Sequence, residues 1–210
     1  YNTTFNYGDD EIMNPDADAH LVHQFDKGDY SQWYVGTQSF LCNNWGNGSL
    51  DEAWFCIYLA NMCLAHLDDL KDSPDIHKKM LEGQFRFYRA WWQQELMTYF
   101  GAMPYSDYEL DYTKIIKVPA LSYKVCAERC AADFEKAAQL LPQDWTPYIG
   151  GTADTWWRPT SLTAQAYQGK VLLWAASPLN YLGAQTGALA NGNTYRYDAE
   201  LAQRAASVLG

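Results

Sequence analysis

One segment of this chain leaves little freedom in what it can become. Ser73-Pro74 opens it, Gly101 closes it and Pro104 lies just beyond. Proline at a first helical position gives up an N–H that has no intrahelical partner, and glycine readily takes the conformation that ends a helix. The pattern predicts one helix from about Pro74 to Phe100. Phe85, Phe87, Tyr88, Trp91, Trp92, Tyr99 and Phe100 lie along it, a density that reads as core and inter-helix packing. Gly83 in its middle costs about 1 kcal/mol against alanine, which is explained if another helix approaches closely there. Arg86 and Arg89 read as ion-pair partners for carboxylates of a neighbouring helix.

Other helices line up around it. Ser49-Leu50-Asp51-Glu52 forms a capping box, and Trp54, Ile57, Tyr58, Met62 and Ala65, with Phe55 and Leu59 in an offset row, continue at helical spacing to about Leu70. A third helix starts near Ser122 and ends before Pro142; a fourth follows Thr160 and stops by Pro178; Asp198 caps a fifth. Between them lie a Tyr- and Asp-rich connector over 102–120, an aromatic loop over 143–158 and a Gly/Asn/Ala-rich loop over 179–197. Residues 1–48 are polar and turn-rich around Asn43-Asn44-Trp45-Gly46-Asn47-Gly48, with a short helix expected near Pro15–Phe25. Helices 49–70 and 74–100 would pair, as would 122–141 and 160–177. The starts at Ser49 and Ser122 lie 122 − 49 = 73 residues apart, against about 34 for a tetratricopeptide repeat. The expected fold is mainly all-α: tetratricopeptide-like helix pairs of an α–α superhelix with long, aromatic-rich irregular loops. Residues 1–48 form an irregular segment packed on the helices, and 49–210 a helical-repeat region incomplete at its C-terminus.

Charge narrows the partners. Lys plus Arg is 15 and Asp plus Glu is 25, a net charge of −10. That disfavours nucleic acid and anionic lipid surfaces, which both need clustered positive charge. No run of about 18 apolar residues suggests a membrane-spanning helix. The chain opens at Tyr1 without a signal sequence and reads as an interior piece of a longer protein.

Enzyme signatures are missing: there is no GxSxG, phosphate-binding loop, HExxH or dinucleotide fingerprint. His20, His23, His66 and His77 are scattered. Cys42, Cys56, Cys63, Cys126 and Cys130 lack zinc-ligand spacing; the pairs 56/63 and 126/130 each share a helix face and read as small buried hydrophobes. No cofactor or metal is called for. Asp107, Asp111 and Asp154 sit in loops, where a carboxylate pair for glycoside hydrolysis could form or where they simply solvate the loop. What the loops do offer is aromatic rings beside amides, carboxylates and arginine: Trp33-Tyr34, Asn43-Asn44-Trp45 and Trp156-Trp157-Arg158. A pyranose has an apolar face that stacks on an indole and a hydroxyl rim that seeks Asn, Asp and Arg. The competing reading is that such rings pin the loops onto the helices.

Four segments together resemble the SusD/RagB family of Bacteroidota surface glycan-binding lipoproteins. They are Ile57-Tyr58-Leu59-Ala60-Asn61 with Leu64; Gly83-Gln84-Phe85-Arg86-Phe87-Tyr88-Arg89-Ala90 followed by Phe100-Gly101-Ala102-Met103-Pro104; Asp133-Phe134-Glu135-Lys136-Ala137 with Leu140-Leu141-Pro142; and Arg158-Pro159-Thr160 through Ala164, then Lys170 to Asn180. Gln84 stands where that family usually has Glu, and Phe85 where it has Ala. The resemblance implies tetratricopeptide-like helix pairs, a lipid-anchored cysteine upstream, location on the outer-membrane surface, and a SusC-like TonB-dependent transporter as partner. The protein would bind an oligosaccharide and deliver it without catalysis. The family has no fixed ligand motif, so Trp33, Asn43, Trp45 and Trp156 are candidates from composition. An α-helical glycosidase and a protein-binding helical repeat module are the alternatives.

Overall fold

The computed structural model describes residues 52–111, 113, 117–149, 157–181 and 197–210. Among these the regular structure is helical: α1 (Glu52–Ala65), a 3-10 turn (Leu67–Asp69), α2 (Asp75–Phe100), α3 (Tyr123–Leu140), the single turn α4 (Thr146–Ile149), α5 (Ser161–Ala176), the single turn α6 (Pro178–Tyr181) and α7 (Ala199–Leu209). Residues 53–210 form one unit.

The helix ends follow local chemistry. Pro74 is the cap of α2 rather than its first residue, and its carbonyl accepts from the His77 amide at 2.9 Å. Gly101 ends the helix at φ 74°, a value that favours glycine, and its amide donates to the Met97 carbonyl. Ser122, Thr160 and Asp198 each cap the following helix by accepting from the amide three residues on. The first helix is shorter than its pattern predicts. It ends at Ala65, and the 3-10 turn carries the chain to Leu70. The two single turns α4 and α6 lie in segments expected to be wholly irregular. The capping box at Ser49 and the short helix near Pro15–Phe25 lie outside the described residues.

Packing runs in chain order: α2 lies against α3, α3 against α5, and α5 against α7. Where the first three meet, Phe87, Phe134 and Tyr167 form an aromatic triangle with ring centroids 5.5–5.7 Å apart. Phe134, Ile57, Leu96, Met97, Leu172 and Leu201 are fully buried. The predicted close approach at Gly83 is present. A Cβ there would stand 2.9 Å from Leu141 Cγ and 3.1 Å from Leu140 Cβ, so the C-terminal end of α3 seats on the glycine. Cys126 and Cys130 are buried on one face of α3, as expected, and the Cys126 thiol donates to the Met103 carbonyl, whereas Cys56 and Cys63 of α1 are only half-buried. Not every aromatic ring of α2 is interior: Tyr88 is exposed.

Candidate functional site

Two polar constellations surround α2. The first is closed. Asp133 of α3 is buried and accepts a bidentate pair from Arg89, Nε to Oδ2 and Nη2 to Oδ1, both 2.7 Å. Arg86 Nη1 adds a bond at 3.0 Å while its Nε goes to Glu82 at 2.7 Å, and the Tyr105 hydroxyl donates to Oδ2 at 3.2 Å. Arg89 Nη1 reaches Asn61 Oδ1 of α1 at 2.9 Å and the Asp107 carbonyl at 3.2 Å. Asn61 in turn donates to Ser106, and Gln93 to the Pro104 carbonyl. The segment after Gly101 is thereby tied to three helices. Burial pulls the Arg89 pKa down, but the hydrogen bonds and charge of Asp133 outweigh it and the net direction is up. Burial, more than any neighbour, pushes the Tyr105 hydroxyl and the Cys130 thiol well up, so both stay protonated. Every ionised group here has charged or polar partners, which is how buried charge is tolerated. It is a scaffold, and the expectation that Arg86 and Arg89 meet a carboxylate on a neighbouring helix holds.

The second constellation is open. Trp145 is buried, and its Nε1–H donates to the Pro159 carbonyl at 2.9 Å, which fixes the segment 157–160 just before α5. Arg158 lies over the Trp145 ring, 5.5 Å from its centroid, and donates from Nη1 to Gln84 Oε1 of α2 at 3.0 Å. Tyr88, one turn along α2, is close enough for the Arg158 charge to lower its hydroxyl pKa, although burial is the larger cause and the net direction is up. Trp157 is 81% exposed. Tyr148 on α4 is also exposed. A large indole held in water on a pinned segment, next in sequence to an arginine that engages an amide and lies near the Tyr88 phenol, is a surface suited to a ring with one apolar face and a polar rim.

The candidate residues fare unequally. Trp33, Asn43, Trp45 and Trp156 lie outside the described residues, as do Asp154, His20, His23 and Cys42. Trp145, at the start of the same aromatic loop, is a pin of the kind the competing reading describes, whereas Trp157 faces solvent. Asp107 is bound to Arg129 at 3.1 Å, and Asp111 accepts from Thr113. His66 pairs with Asp69 and Glu109. Gln84 and Tyr88 belong to the open constellation and were not singled out for it in sequence. The signal available was Arg158, one residue before a proline that ends the aromatic loop. Among the described residues no group of three or more His, Cys, Asp or Glu is placed to hold a metal ion.

A family model described as starch-binding and associating with the outer membrane, SusD-like, matches residues 11–173. The chain belongs to the SusD-like family. Three solved structures show the same fold. A SusD superfamily protein of Bacteroides fragilis is 16% identical, with a TM-score of 0.54 over 77% of this chain and 29% of that one. A laminarin-binding SusD-like protein is 20% identical, with a TM-score of 0.53 over 61% and 26%. The surface glycan-binding protein A of Bacteroides uniformis is 21% identical, with a TM-score of 0.50 over 58% and 26%. The chain thus spans between a quarter and a third of the length of these SusD-like relatives. No curated protein matches the sequence. The four sequence segments that resemble the family meet in space. Asn61, Arg86, Arg89 and Asp133 join in the closed network, and Arg158 of the fourth segment reaches Gln84 of the second. Among the described residues no helix is long and apolar enough to cross a membrane.

Proposed function

We propose that the chain is part of a surface glycan-binding protein that captures polysaccharide fragments and passes them to a SusC-like TonB-dependent transporter. In this reading it binds without catalysis and is held at the outer membrane by a lipid anchor outside the sequence. Family membership and the glycan-binding relatives support the ligand class. The observation that carries a site on this chain is the Trp157 indole, 81% exposed on a segment pinned by the Trp145–Pro159 hydrogen bond. Stacking on such a ring is sequence-cheap and sugar-tolerant, and Arg158, Gln84 and the phenols of Tyr88 and Tyr148 would address hydroxyls. Trp33, Asn43, Trp45 and Trp156 are the further contacts this reading assigns.

The test is affinity electrophoresis of the 210-residue chain through gels containing laminarin, amylose, xylan or pectin. The expected result is retardation by at least one polymer, with Trp157→Ala weakening it about tenfold, the loss of roughly 1.4 kcal/mol. Unchanged mobility in every gel rejects the ligand class. Retardation that Trp157→Ala leaves intact moves the site elsewhere, and Trp45→Ala and Trp156→Ala then decide between the remaining candidates. Release of reducing sugar from any of the four polymers would favour the glycosidase reading instead.

A further inference from the structure

Arg89 shows what a fully paired guanidinium looks like in this molecule. Its Nη1 lies on an amide oxygen, Asn61 Oδ1, and its Nε–Nη2 edge grips both oxygens of a carboxylate. Arg158 repeats the first half of that arrangement: its Nη1 lies on an amide oxygen, Gln84 Oε1, and its guanidinium carbon stands over the Trp145 ring, 5.5 Å from the centroid. Among the described residues no carboxylate pairs with the Nε–Nη2 edge of Arg158. Arg86, Arg89, Arg129 and Arg204, by contrast, each pair with one. Both contacts that fix Arg158 are neutral, so they orient it without cancelling its charge. An arginine held in this way offers two parallel N–H donors, the geometry that matches a planar carboxylate.

Resting on the glycan reading above, we infer that this site takes an acidic glycan, with a uronic-acid carboxylate on the Nε–Nη2 edge of Arg158 and a sugar face on the neighbouring Trp157. The carboxylate completes on the ligand what Asp133 completes for Arg89. The net charge of −10 does not forbid this. At physiological salt charges farther than about 8 Å are largely screened, so the local guanidinium dominates. α5 begins at Ser161, three residues on in sequence, and the N-terminal end of a helix carries partial positive charge.

The experiment titrates the whole chain calorimetrically with matched oligosaccharide pairs: oligogalacturonate, oligomannuronate and hyaluronan oligosaccharides, each beside its carboxyl-reduced form. Sulfated laminarin and laminarin form a fourth pair. The expected result is that at least one uronate binds about tenfold tighter than its reduced form. Arg158→Gln should abolish that preference, weakening the uronate about tenfold more than it weakens the reduced form. Gln84→Glu should weaken the preference too, because an internal carboxylate then competes for the guanidinium. Equal binding of acidic and reduced forms overturns the inference, as does a preference that survives Arg158→Gln or one confined to the sulfated polymer. In each of those cases the glycan reading stands if Trp157→Ala still weakens the binding that remains. If no member of any pair binds, the glycan reading and the inference fall together.

Discussion

Arg89 and Arg158 place the same side chain in opposite surroundings. Arg89 is buried among Asp133, Asn61 and a backbone carbonyl, all from its own chain. Arg158 sits at the surface on an indole and an amide. The closed network joins α1, α2, α3 and the segment after Gly101, so its loss should cost folding. The open one rides on a pin made by other residues, so its loss should leave folding nearly untouched and be felt in binding. Buried charge is tolerated only when its partners are complete; a surface guanidinium carries no such requirement and can keep part of its valence for a ligand. This contrast separates scaffold from site without any appeal to the ligand.

The strongest attack on the contrast is Asp133→Ala. It leaves Arg89 buried with its charge uncompensated, and removing one partner of a buried pair typically costs about 3–5 kcal/mol. For a chain of this size that corresponds to a Tm lower by about 6–20 °C. Denaturant unfolding checks it. A loss below about 1 kcal/mol would show that water reaches the network and that it is not closed in the sense argued. Next comes Gly83→Ala. Alanine gains about 1 kcal/mol of helix propensity, but its Cβ would stand 2.9 Å from Leu141, a buried residue, and 3.1 Å from the Cβ of Leu140. Overpacking costs about 1–3 kcal/mol, so a net loss of about 1 kcal/mol is expected from the same measurement. A stabilised variant would mean that α3 can slide off α2, and that the Asp133–Arg89 pair alone holds the joint.

Arg158→Met tests the other side. It removes one exposed hydrogen bond and a cation–π contact, each weak in water. The expected change in stability is under about 0.5 kcal/mol, with the fold unaltered by circular dichroism. A loss comparable with that of Asp133→Ala would make Arg158 part of the scaffold and remove the physical basis for a binding role.

Much of the scaffold is legible in the sequence. Proline and glycine punctuation places both ends of α2 within a residue, because those two residues act locally through φ and a missing N–H. The caps at Ser122, Thr160 and Asp198 are legible for the same reason. The partner of Arg86 and Arg89 could be named as a carboxylate on another helix but not as Asp133, since the contact spans more than forty residues and depends on how α3 sets its face against Gly83. The end of α1 was overrun because apolar spacing continues past Ala65, while the chain tightens into a 3-10 turn. The site was the least legible. Trp145 and Trp157 look alike in sequence; one is buried by a hydrogen bond to Pro159, and the other stands in water. Only tertiary context separates a pin from a platform. Gln84 reads as a departure from the family's Glu and Tyr88 as a packing ring; only the fold brings Arg158, 74 residues on, to Gln84.

The smallest effect sharpens the contrast at its edge. Glu109 follows the closed segment by two residues, and its carboxylate meets His66 Nε2 at 3.4 Å while Asp69 meets Nδ1 at 2.8 Å. The hydrogen bond to Asp69, and next the charge of Glu109, raise the His66 pKa above its ordinary 6.5. A pKa raised by folding means that the protonated form favours the folded state. The contribution is therefore complete below about pH 6.5 and fades as pH rises through the folded value. All three groups are exposed, so the change in Tm between pH 6 and pH 8 attributable to His66 should lie near the limit of detection. The imidazole titration itself, followed by NMR, should still show the raised midpoint, and Glu109→Gln should move it back towards 6.5. If Glu109→Gln also lowers Tm as Asp133→Ala does, the closed network extends outward to His66, and the boundary between scaffold and surface must be drawn beyond it.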